Sequence, residues 1–235
     1  MFSKEALLEG QTVLIDKPLG WTSFDVVKKI RWAIKKKYSL KKIKVGHAGT
    51  LDPLATGLLI ICIGKHTKKI QEYMIGEKHY TGAFLLGKTT PSYDMETDFD
   101  DELPTHHITS KDLEDVTSGF VGVQHQFPPI YSAKKIDGKR AYEMARKGES
   151  IDLKPSTIEI VNFEIDSENF PEINFAISCS KGTYIRSIAS DFGKRLNSGA
   201  TLLKLRRESS GSFNIIDAID VNEFVTQIEQ CKNDL

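Results

Sequence analysis

Residues 46–57 read G-H-A-G-T-L-D-P-L-A-T-G and lie between a basic segment and an apolar run. This is the least ordinary stretch of the chain, because three glycines and a proline surround a single acid. Its three glycines permit turns that are closed to other residues. Pro53 fixes its own φ and biases Asp52 away from the helical region. Asp and Gly are common in ordinary turns, so Asp52 is either a turn residue or the acid of an active site. The density of restricting residues, with His47 five positions upstream, favours an active site.

The bulk composition indicates a globular protein in a reducing compartment. The chain has 235 residues, of which 40% are hydrophobic and 27% charged, enough for one large domain or two small ones. Its apolar runs are too short to span a membrane, and its first residues do not resemble a signal peptide. Three widely spaced cysteines form no CxxC pair. They argue against a disulfide or zinc framework and indicate a cytoplasmic protein.

Positive charge is concentrated in blocks although the net charge is zero. Residues 1–70 contain 14 Lys and Arg against 5 Asp and Glu, whereas residues 71–120 contain 3 against 11. The basic blocks are those that carry the unusual motifs. Gathered on one face, they would form a phosphate-binding surface, although charge runs are often merely solvated faces.

The pattern of elements predicts an α+β fold in a single domain, because strands and helices mix without regular βαβ alternation. The ambiguous run 58–63 is either a strand or a buried helical turn. The polar stretch 89–105 is predicted to be a solvated loop rather than a metal site. The other predicted strands are 12–16, 78–87, 156–165, 173–179 and 202–207; the predicted helices are 22–37, 67–74, 109–120, 140–147, 183–196 and 221–231.

Helix 22–37 is predicted to begin with a Thr22 or Ser23 cap and to bury one apolar face. The residues predicted for that face are Phe24, Val27, Ile30 and Ile34. The rest of the helix and the segment that follows are basic, from Lys28 to Lys44.

Three further clusters are candidate partners of Asp52. Tyr80 follows Lys78-His79 on a predicted strand, where core packing is the usual role of a tyrosine. The segment S-K-G-T-Y-I-R-S at 180–187 enters a helix whose first turn presents Tyr184 and Arg186, and an arginine there can pair with a carboxylate. The third cluster is L-R-R at 205–207, a basic strand end. An acid, an arginine, an aromatic ring and basic blocks suit chemistry on a nucleic-acid base.

The loop 46–57 resembles the catalytic motif of the TruB family of tRNA pseudouridine synthases. Four other stretches resemble motifs of the same family in the same order. They are L-I-D-K-P-L-G-W-T-S at 14–23, P-P-I-Y-S-A-K-K-I-D-G-K-R-A-Y at 128–142, C-S-K-G-T-Y-I-R at 179–186 and L-R-R at 205–207. The resemblance covers the chain from Gly10 to Phe213.

This resemblance implies a pseudouridine-synthase fold, a mixed and mostly antiparallel sheet flanked by helices. It also implies an isomerase that flips uridine 55 out of the T loop of tRNA and converts it to pseudouridine. No metal or organic cofactor is implied. Whether the nucleophile attacks C6 of the base or C1′ of the ribose stays open.

By motif position, Asp52 matches the catalytic nucleophile of the family, and Arg186 matches the arginine that pairs with it. Tyr80 matches the tyrosine that stacks on the target base and takes part in proton transfer. His47 matches the histidine that enters the T loop as the uridine flips out. The remaining matches, to residues that line or adjoin the pocket, are Lys68, Tyr184 and Leu205.

Many bacterial members of the family carry a small RNA-binding domain of the PUA type after the catalytic domain, and the sequence to Leu235 is expected to form only the catalytic domain, 1–235. Affinity for the T stem-loop would then rest on Lys28–Lys44 and on Arg206 and Arg207. We expect a monomer without an obligate protein partner. The alternatives are a T-arm binding or folding module with little or no catalysis, and a guide-RNA-dependent relative that acts on ribosomal RNA.

Overall fold

The computed structural model describes residues 2–132, 135–136, 139–140 and 153–231. The predicted helix 140–147 and the end of the motif at 128–142 therefore lie almost wholly outside the described residues. Two compact units emerge: Met1–Tyr80 with Arg206–Leu235, and Thr81–Leu205. The boundary falls inside two strands, β4 (Lys78–Leu86) and β12 (Ala200–Ser210). The prediction of one catalytic domain stays a prediction.

The first unit is built on two antiparallel strands, β1 (Gln11–Lys17) and β3 (Ala55–Ile63), which pair from Gln11 opposite Ile63 to Lys17 opposite Gly57. Strand β3 is buried along almost its whole length. A strand covered on both faces shows a continuous apolar run, so the run at 58–63 is a strand and not a helical turn. The sheet order is β14 (Ile219–Asp220), β1, β3 and β12, with β2 (Val45–Ala48) on β3 and β13 (Phe213–Asn214) on β12.

Alternate residues of β3 face two different apolar clusters. Leu59, Ile61 and Ile63 pack with helices α2 (Ser23–Tyr38) and α6 (Val221–Gln230), whereas Ile60 and Cys62 pack with the segment around Ile70. Each fully buried aliphatic side chain contributes about 1.5–3 kcal/mol. This burial fixes the position of β3 and so the point from which the loop before β3 leaves the sheet. The unit also contains α1 (Lys4–Glu9), β2 (Val45–Ala48), a 3-10 helix (Gly64–Lys69), α3 (Ile70–Tyr73), β13 (Phe213–Asn214), a 3-10 helix (Ile215–Asp217) and β14 (Ile219–Asp220).

Helix α2 begins with a capping box: the Thr22 hydroxyl accepts from the Asp25 amide, and the Asp25 carboxylate accepts from the Thr22 amide. The prediction that Phe24 lies on its buried face is wrong, because Phe24 is 52% exposed. In this part of the helix the buried face is formed by Val26, which is fully buried, and not by Phe24. A hydrophobic residue in the first turn is thus not by itself evidence of burial.

The second unit has the strand order β12, β4, β11 (Glu172–Cys179), β10 (Ser156–Asp166) and β7 (Gly122–Gln126). The predicted antiparallel pairing of 156–165 with 173–179 is confirmed by β10 and β11. A cluster of phenylalanine rings around Phe84 and Phe192 forms its core. Its elements are β5 (Lys88–Thr89), β6 (Asp101–Glu102), α4 (Ser110–Ser118), β7 (Gly122–Gln126), β8 (Lys135–Ile136), β9 (Lys139–Arg140), β10 (Ser156–Asp166), β11 (Glu172–Cys179) and α5 (Ile185–Arg195).

The α+β prediction is confirmed, since the described strands pair mostly antiparallel, whereas β1 and β14 pair parallel. No helix in the described part of the chain is long and apolar enough to cross a membrane.

Candidate active site

Asp52 lies in a short loop, residues 49–54, that joins β2 to β3; we call it the Asp52 loop. Because β2 and β3 pair antiparallel, from Val45 opposite Ile63 to Ala48 opposite Ile60, the two ends of the loop are fixed by the sheet. Inside the loop, the Ala55 amide donates to the Asp52 carbonyl over 3.1 Å and closes a turn. The backbone that carries the carboxylate is therefore set by main-chain bonds.

Residues of the first predicted motif bind this loop from one side. The Ser23 hydroxyl donates to the Leu51 carbonyl (3.0 Å) and accepts from the Leu51 amide (2.8 Å). The Gly20 amide donates to the Pro53 carbonyl over 2.9 Å. Each side of Asp52 is thus anchored through a neighbouring peptide group.

Lys17 is the third anchor, and it is a fully buried cation. Its ammonium group donates to the carbonyls of Trp21 (2.6 Å), Pro18 (3.0 Å) and Pro53 (3.4 Å). Burial lowers the pKa of Lys17 from 10.5 to about 8, against the attraction of the Asp52 carboxylate, which raises it. The lysine therefore links the loop backbone to the electrostatics of Asp52.

Arg207 binds the same loop from strand β12, where its side chain is only 2% exposed. Its Nη2 donates to the Gly49 carbonyl (3.1 Å) and its Nε to the Leu58 carbonyl (2.8 Å). A guanidinium group has a planar fork of donors, so it can hold two carbonyls at a fixed separation. Arg207 thus connects the residue that starts the Asp52 loop to strand β3. A side chain buried this far does not support the prediction that affinity for the T stem-loop rests partly on Arg207.

Gly57 shows why this approach requires glycine. Its φ is +99°, and a Cβ there would lie 2.4 Å from the Arg207 carbonyl oxygen. The neighbouring Arg206 forms a two-pronged ion pair with Asp16, at 2.7 and 3.1 Å. The two consecutive arginines therefore have different partners and different burial.

His47 lies on β2, half-buried, next to the start of the loop. Burial and the nearby Arg207 cation lower the pKa of His47 below 6.5, while a hydrogen bond from the imidazole to the Gly49 backbone acts in the opposite direction. A lowered pKa keeps the imidazole neutral at pH 7. A neutral, partly exposed ring is suited to stacking against bases.

Lys68 and Tyr80 lie elsewhere in the same unit. Lys68 is exposed on the 3-10 helix that follows β3, and this helix runs into the segment packed against β2, where Ile70 contacts Gly46. Tyr80 is the third residue of β4 and is only 9% exposed. Both the core and the functional interpretation of Tyr80 are compatible with this burial.

In the second unit, Tyr184 caps α5 and Arg186 lies in its first turn. The Tyr184 amide donates to the side-chain oxygen of Gln126 (2.8 Å), and the side-chain nitrogen of Gln126 donates to the Tyr184 carbonyl (3.0 Å). Arg186 is 4% exposed and donates to the Tyr131 carbonyl over 3.0 Å. Leu205 is half-buried on β12.

Arg186 also forms a buried ion pair with Asp94, whose Oδ2 lies 3.6 Å from Nε. The prediction of a solvated loop at 89–105 is therefore wrong at Asp94, which is 4% exposed. The acid contributes to the position of the predicted catalytic arginine. The pairing of Arg186 with Asp52 stays a prediction, as do the roles of Tyr80, Tyr184 and Leu205.

The sequence did not predict that Lys17, Ser23 and Arg207 hold the Asp52 loop in position. A signal for Lys17 was present, because it continues the inward alternation of Val13 and Ile15 along β1. Arg207 offered no such signal, since arginines at a strand end are usually solvated. In the described residues, no group of three His, Cys, Asp or Glu side chains is placed to bind a metal ion.

The chain is similar in sequence to known proteins over nearly its whole length. The model of the TruB family pseudouridylate synthase (N terminal domain) matches residues 35–185. The chain is 52% identical to the tRNA pseudouridine synthase B of Flavobacterium johnsoniae, over 96% of this chain and 99% of that protein. It is 50% identical to the protein of the same name from Phocaeicola vulgatus, over 94% of each.

A solved structure of a Cbf5–Nop10–Gar1 complex contains a chain that is 26% identical, with a TM-score of 0.70. The match covers 95% of this chain and 55% of that chain, so this chain spans about half of its length. The predicted pseudouridine-synthase fold is thus confirmed. On the family model and the identities together, the chain belongs to the TruB family of pseudouridylate synthases.

Proposed function

We propose that the chain converts uridine 55 in the T loop of tRNA to pseudouridine, with Asp52 as the nucleophile. The chain is a pseudouridine synthase and therefore an isomerase. Action on tRNA is supported by relatives about half identical over nearly their whole length, which are named tRNA pseudouridine synthase B. Position 55 is supported by the motif resemblance alone, and the nucleophile by motif position and by the geometry of the Asp52 loop.

The observation that carries the proposal is the set of buried donors around that loop. Lys17, Ser23 and Arg207 bond the backbone on both sides of Asp52. A nucleophile held before the substrate arrives avoids much of the entropic cost of reaching the reactive geometry. A simple turn residue would not need two buried cations in support.

The reaction itself balances without a cofactor. The N1–C1′ glycosidic bond breaks, the detached base turns, and a C5–C1′ bond forms. C5 then loses a proton and N1 gains one, so substrate and product are isomers. Asp52 supplies the electron pair that attacks either C6 of the base or C1′ of the ribose, and it leaves again when the new bond is complete.

Other residues have supporting roles in this proposal. Arg186 pairs with Asp52, and Tyr80 stacks on the target base and assists proton transfer. His47 enters the T loop as the uridine flips out, a step that costs a few kcal/mol of lost stacking. Pocket contacts come from Tyr184, Leu205 and Lys68, and the lysine-rich surface from Lys28 to Lys44 binds phosphates. We propose a cytoplasmic monomer without an obligate protein partner.

The proposal is tested by incubating the purified protein with a full-length tRNA transcript and with its T stem-loop, and mapping pseudouridine at each nucleotide. We expect modification only at position 55 in both RNAs, and none in transcripts with cytidine at that position. Modification at another uridine would overturn the position.

The second candidate is a T-arm binding or folding module with little or no catalysis. The basic surface alone would account for such a module, whereas a binding module would not require the anchored Asp52 loop. Tight binding of the transcript without any conversion would favour this module over the enzyme.

A further inference from the structure

Trp32 is exposed although large aromatic side chains are usually buried at least in part. It lies on helix α2 with 51% of its surface open. The helix is anchored without it, by Val26, Val27, Ile30, Ala33 and Ile34, which are all buried. An indole that the fold does not use in its core is available to a partner.

Two concave surfaces share Trp32 as a wall. One, of about 570 Å³, lies toward the start of α2 and is lined by Gly20, Trp21, Asp25, Lys28, Lys29 and Trp32. The other, of about 420 Å³, lies toward the end of the helix, and its basic lining residues are Lys28, Arg31, Lys35 and Lys36. The indole thus stands between two hollows.

Cations surround the ring. The ammonium groups of Lys29 and Lys36 lie 5.6 and 4.9 Å from its centroid. Asp25 is the one acid among the residues that line the two hollows, and its carboxylate is engaged in the capping box with Thr22. Lysine ammonium groups sit on long flexible stems, so they can move from the ring to a phosphate.

The position of α2 connects this surface to the candidate active site. Arg31 donates to the Val45 carbonyl over 2.9 Å, at the start of strand β2. The same strand carries His47 and leads into the Asp52 loop. The indole and the loop therefore belong to one unit whose internal geometry is fixed.

We propose that Trp32 is a stacking platform for an unpaired nucleotide of the bound RNA, a second contact distinct from the flipped uridine. A base would stack on the indole, and its flanking phosphates would bind Lys29 and Lys36. An aromatic face between cations is how proteins bind single-stranded nucleic acid without sequence preference. The proposal rests on the proposed function only in taking tRNA as the source of that nucleotide.

The first test compares Trp32→Ala with Phe24→Ala in equilibrium binding of a full-length tRNA transcript. Phe24 is a matched control, because it is 52% exposed on the same helix and has Lys28 4.8 Å above its ring, but it lines neither hollow. Loss of one stacked base weakens binding by roughly fivefold or more. We expect that loss for Trp32→Ala alone, and near wild-type affinity for Trp32→Phe and Phe24→Ala.

Equal affinity of wild type and Trp32→Ala would overturn the platform, and so would an equal loss in Phe24→Ala. Urea denaturation of each variant shows whether the fold is retained; both side chains are exposed, so we expect it to be. Binding needs no turnover, so this result is independent of whether Asp52 is the nucleophile or position 55 the target.

The second test uses fluorescence, since the chain has only two tryptophans. In a Trp21→Phe variant the emission comes from Trp32, and a stacked base quenches it. We expect quenching by the tRNA transcript and by an unstructured oligouridylate, but not by polyglutamate. Absence of quenching by either RNA, or equal quenching by polyglutamate, would overturn the assignment to a nucleotide.

Discussion

Arg207 is one of the buried residues that hold the Asp52 loop in position. It is buried and bonds Gly49, where the loop begins, and Leu58, on the strand that follows the loop. Arg206, its neighbour, pairs with Asp16 at a half-exposed site. Two adjacent residues of the same type therefore offer a controlled comparison between a buried positioning role and a surface ion pair.

We expect Arg207→Met to destabilise the protein by about 3–5 kcal/mol, because two buried carbonyls lose a charged donor. Its kcat should fall by more than its KM rises, since the loop geometry and not RNA binding is affected. Arg206→Met should cost about 1 kcal/mol or less. Urea denaturation and steady-state kinetics measure both, and equal effects of the two variants would contradict the assignment.

Lys17 should make stability depend on pH in a defined window. Its pKa is about 8 in the folded protein and 10.5 in the unfolded chain. Between these values the folded state has released its proton while the unfolded state keeps it. Unfolding therefore takes up a proton, and stability rises with pH from about 8 to 10.5.

The rise should reach about 3 kcal/mol, as one pKa unit corresponds to about 1.4 kcal/mol. The measurement is the free energy of unfolding of wild type and Lys17→Arg as a function of pH. The arginine stays charged throughout. Above pH 8 the free energy of unfolding of the wild type should therefore rise relative to that of Lys17→Arg. A difference that is constant with pH would show that Lys17 has an ordinary pKa.

At the scale of single residues, the sequence predicted the chemical groups better than their support. Asp52 stood out because three glycines and a proline are concentrated around it. Lys17 and Arg207 did not, because lysine and arginine are usually exposed. Asp94 was placed in a solvated loop because acids crowd that stretch, and only the three-dimensional structure shows its pairing with Arg186.

Among the elements, strand β3 has a strict steric requirement at Gly57, near its start. Gly57 and Gly20 both have positive φ, at +99° and +80°, but only the Cβ of residue 57 would meet the backbone of Arg207. A Cβ at residue 20 would meet nothing within 4 Å. The two glycines separate backbone strain from steric exclusion.

Gly20→Ala should cost about 1–2 kcal/mol, the penalty of a left-handed conformation. Gly57→Ala should cost at least about 3 kcal/mol, because overpacking is added to that penalty. Thermal or urea denaturation measures the free energy of unfolding of the two variants. Equal costs would mean that β12 can move away from β3 without penalty.

The strands and helices themselves were largely predictable, because periodicity and caps act locally. Strand β1 was predicted within one residue at each end, and α2 with its Thr22 cap. The apolar run 58–63 stayed ambiguous, since only the helices and strands on both of its faces decide its conformation. Phe24 was misplaced because periodicity does not show where a helix leaves the core.

For the whole molecule, the uneven distribution of charge indicates RNA binding despite zero net charge. Lys35, Lys36 and Lys37 lie in the last turn of α2. Replacing all three with alanine should reduce the slope of log affinity for tRNA against log salt by up to about 2. A control variant with Lys4, Lys111 and Lys194 replaced should change it by less than about 0.5. An unchanged slope in the first variant would contradict phosphate binding by this surface.

The composition of the candidate site was predicted from motifs that are far apart in sequence. Asp52 and His47 lie at adjoining positions of one unit, as their spacing implied. Arg186 was predicted to pair with Asp52, and that pairing stays a prediction; the ion pair that the structure shows joins Arg186 to Asp94 within its own unit. Local patterns could not identify that acid, because 92 residues of chain separate the pair.

The central claim is that the anchored Asp52 carboxylate carries out the chemistry. Its most direct test is single-turnover conversion of a T stem-loop RNA by Asp52→Asn, with the exposed Asp217→Asn as control. We predict that Asp52→Asn binds the RNA normally but converts uridine at least about a thousandfold more slowly, while Asp217→Asn behaves like wild type. Conversion by Asp52→Asn at the wild-type rate would contradict the claim.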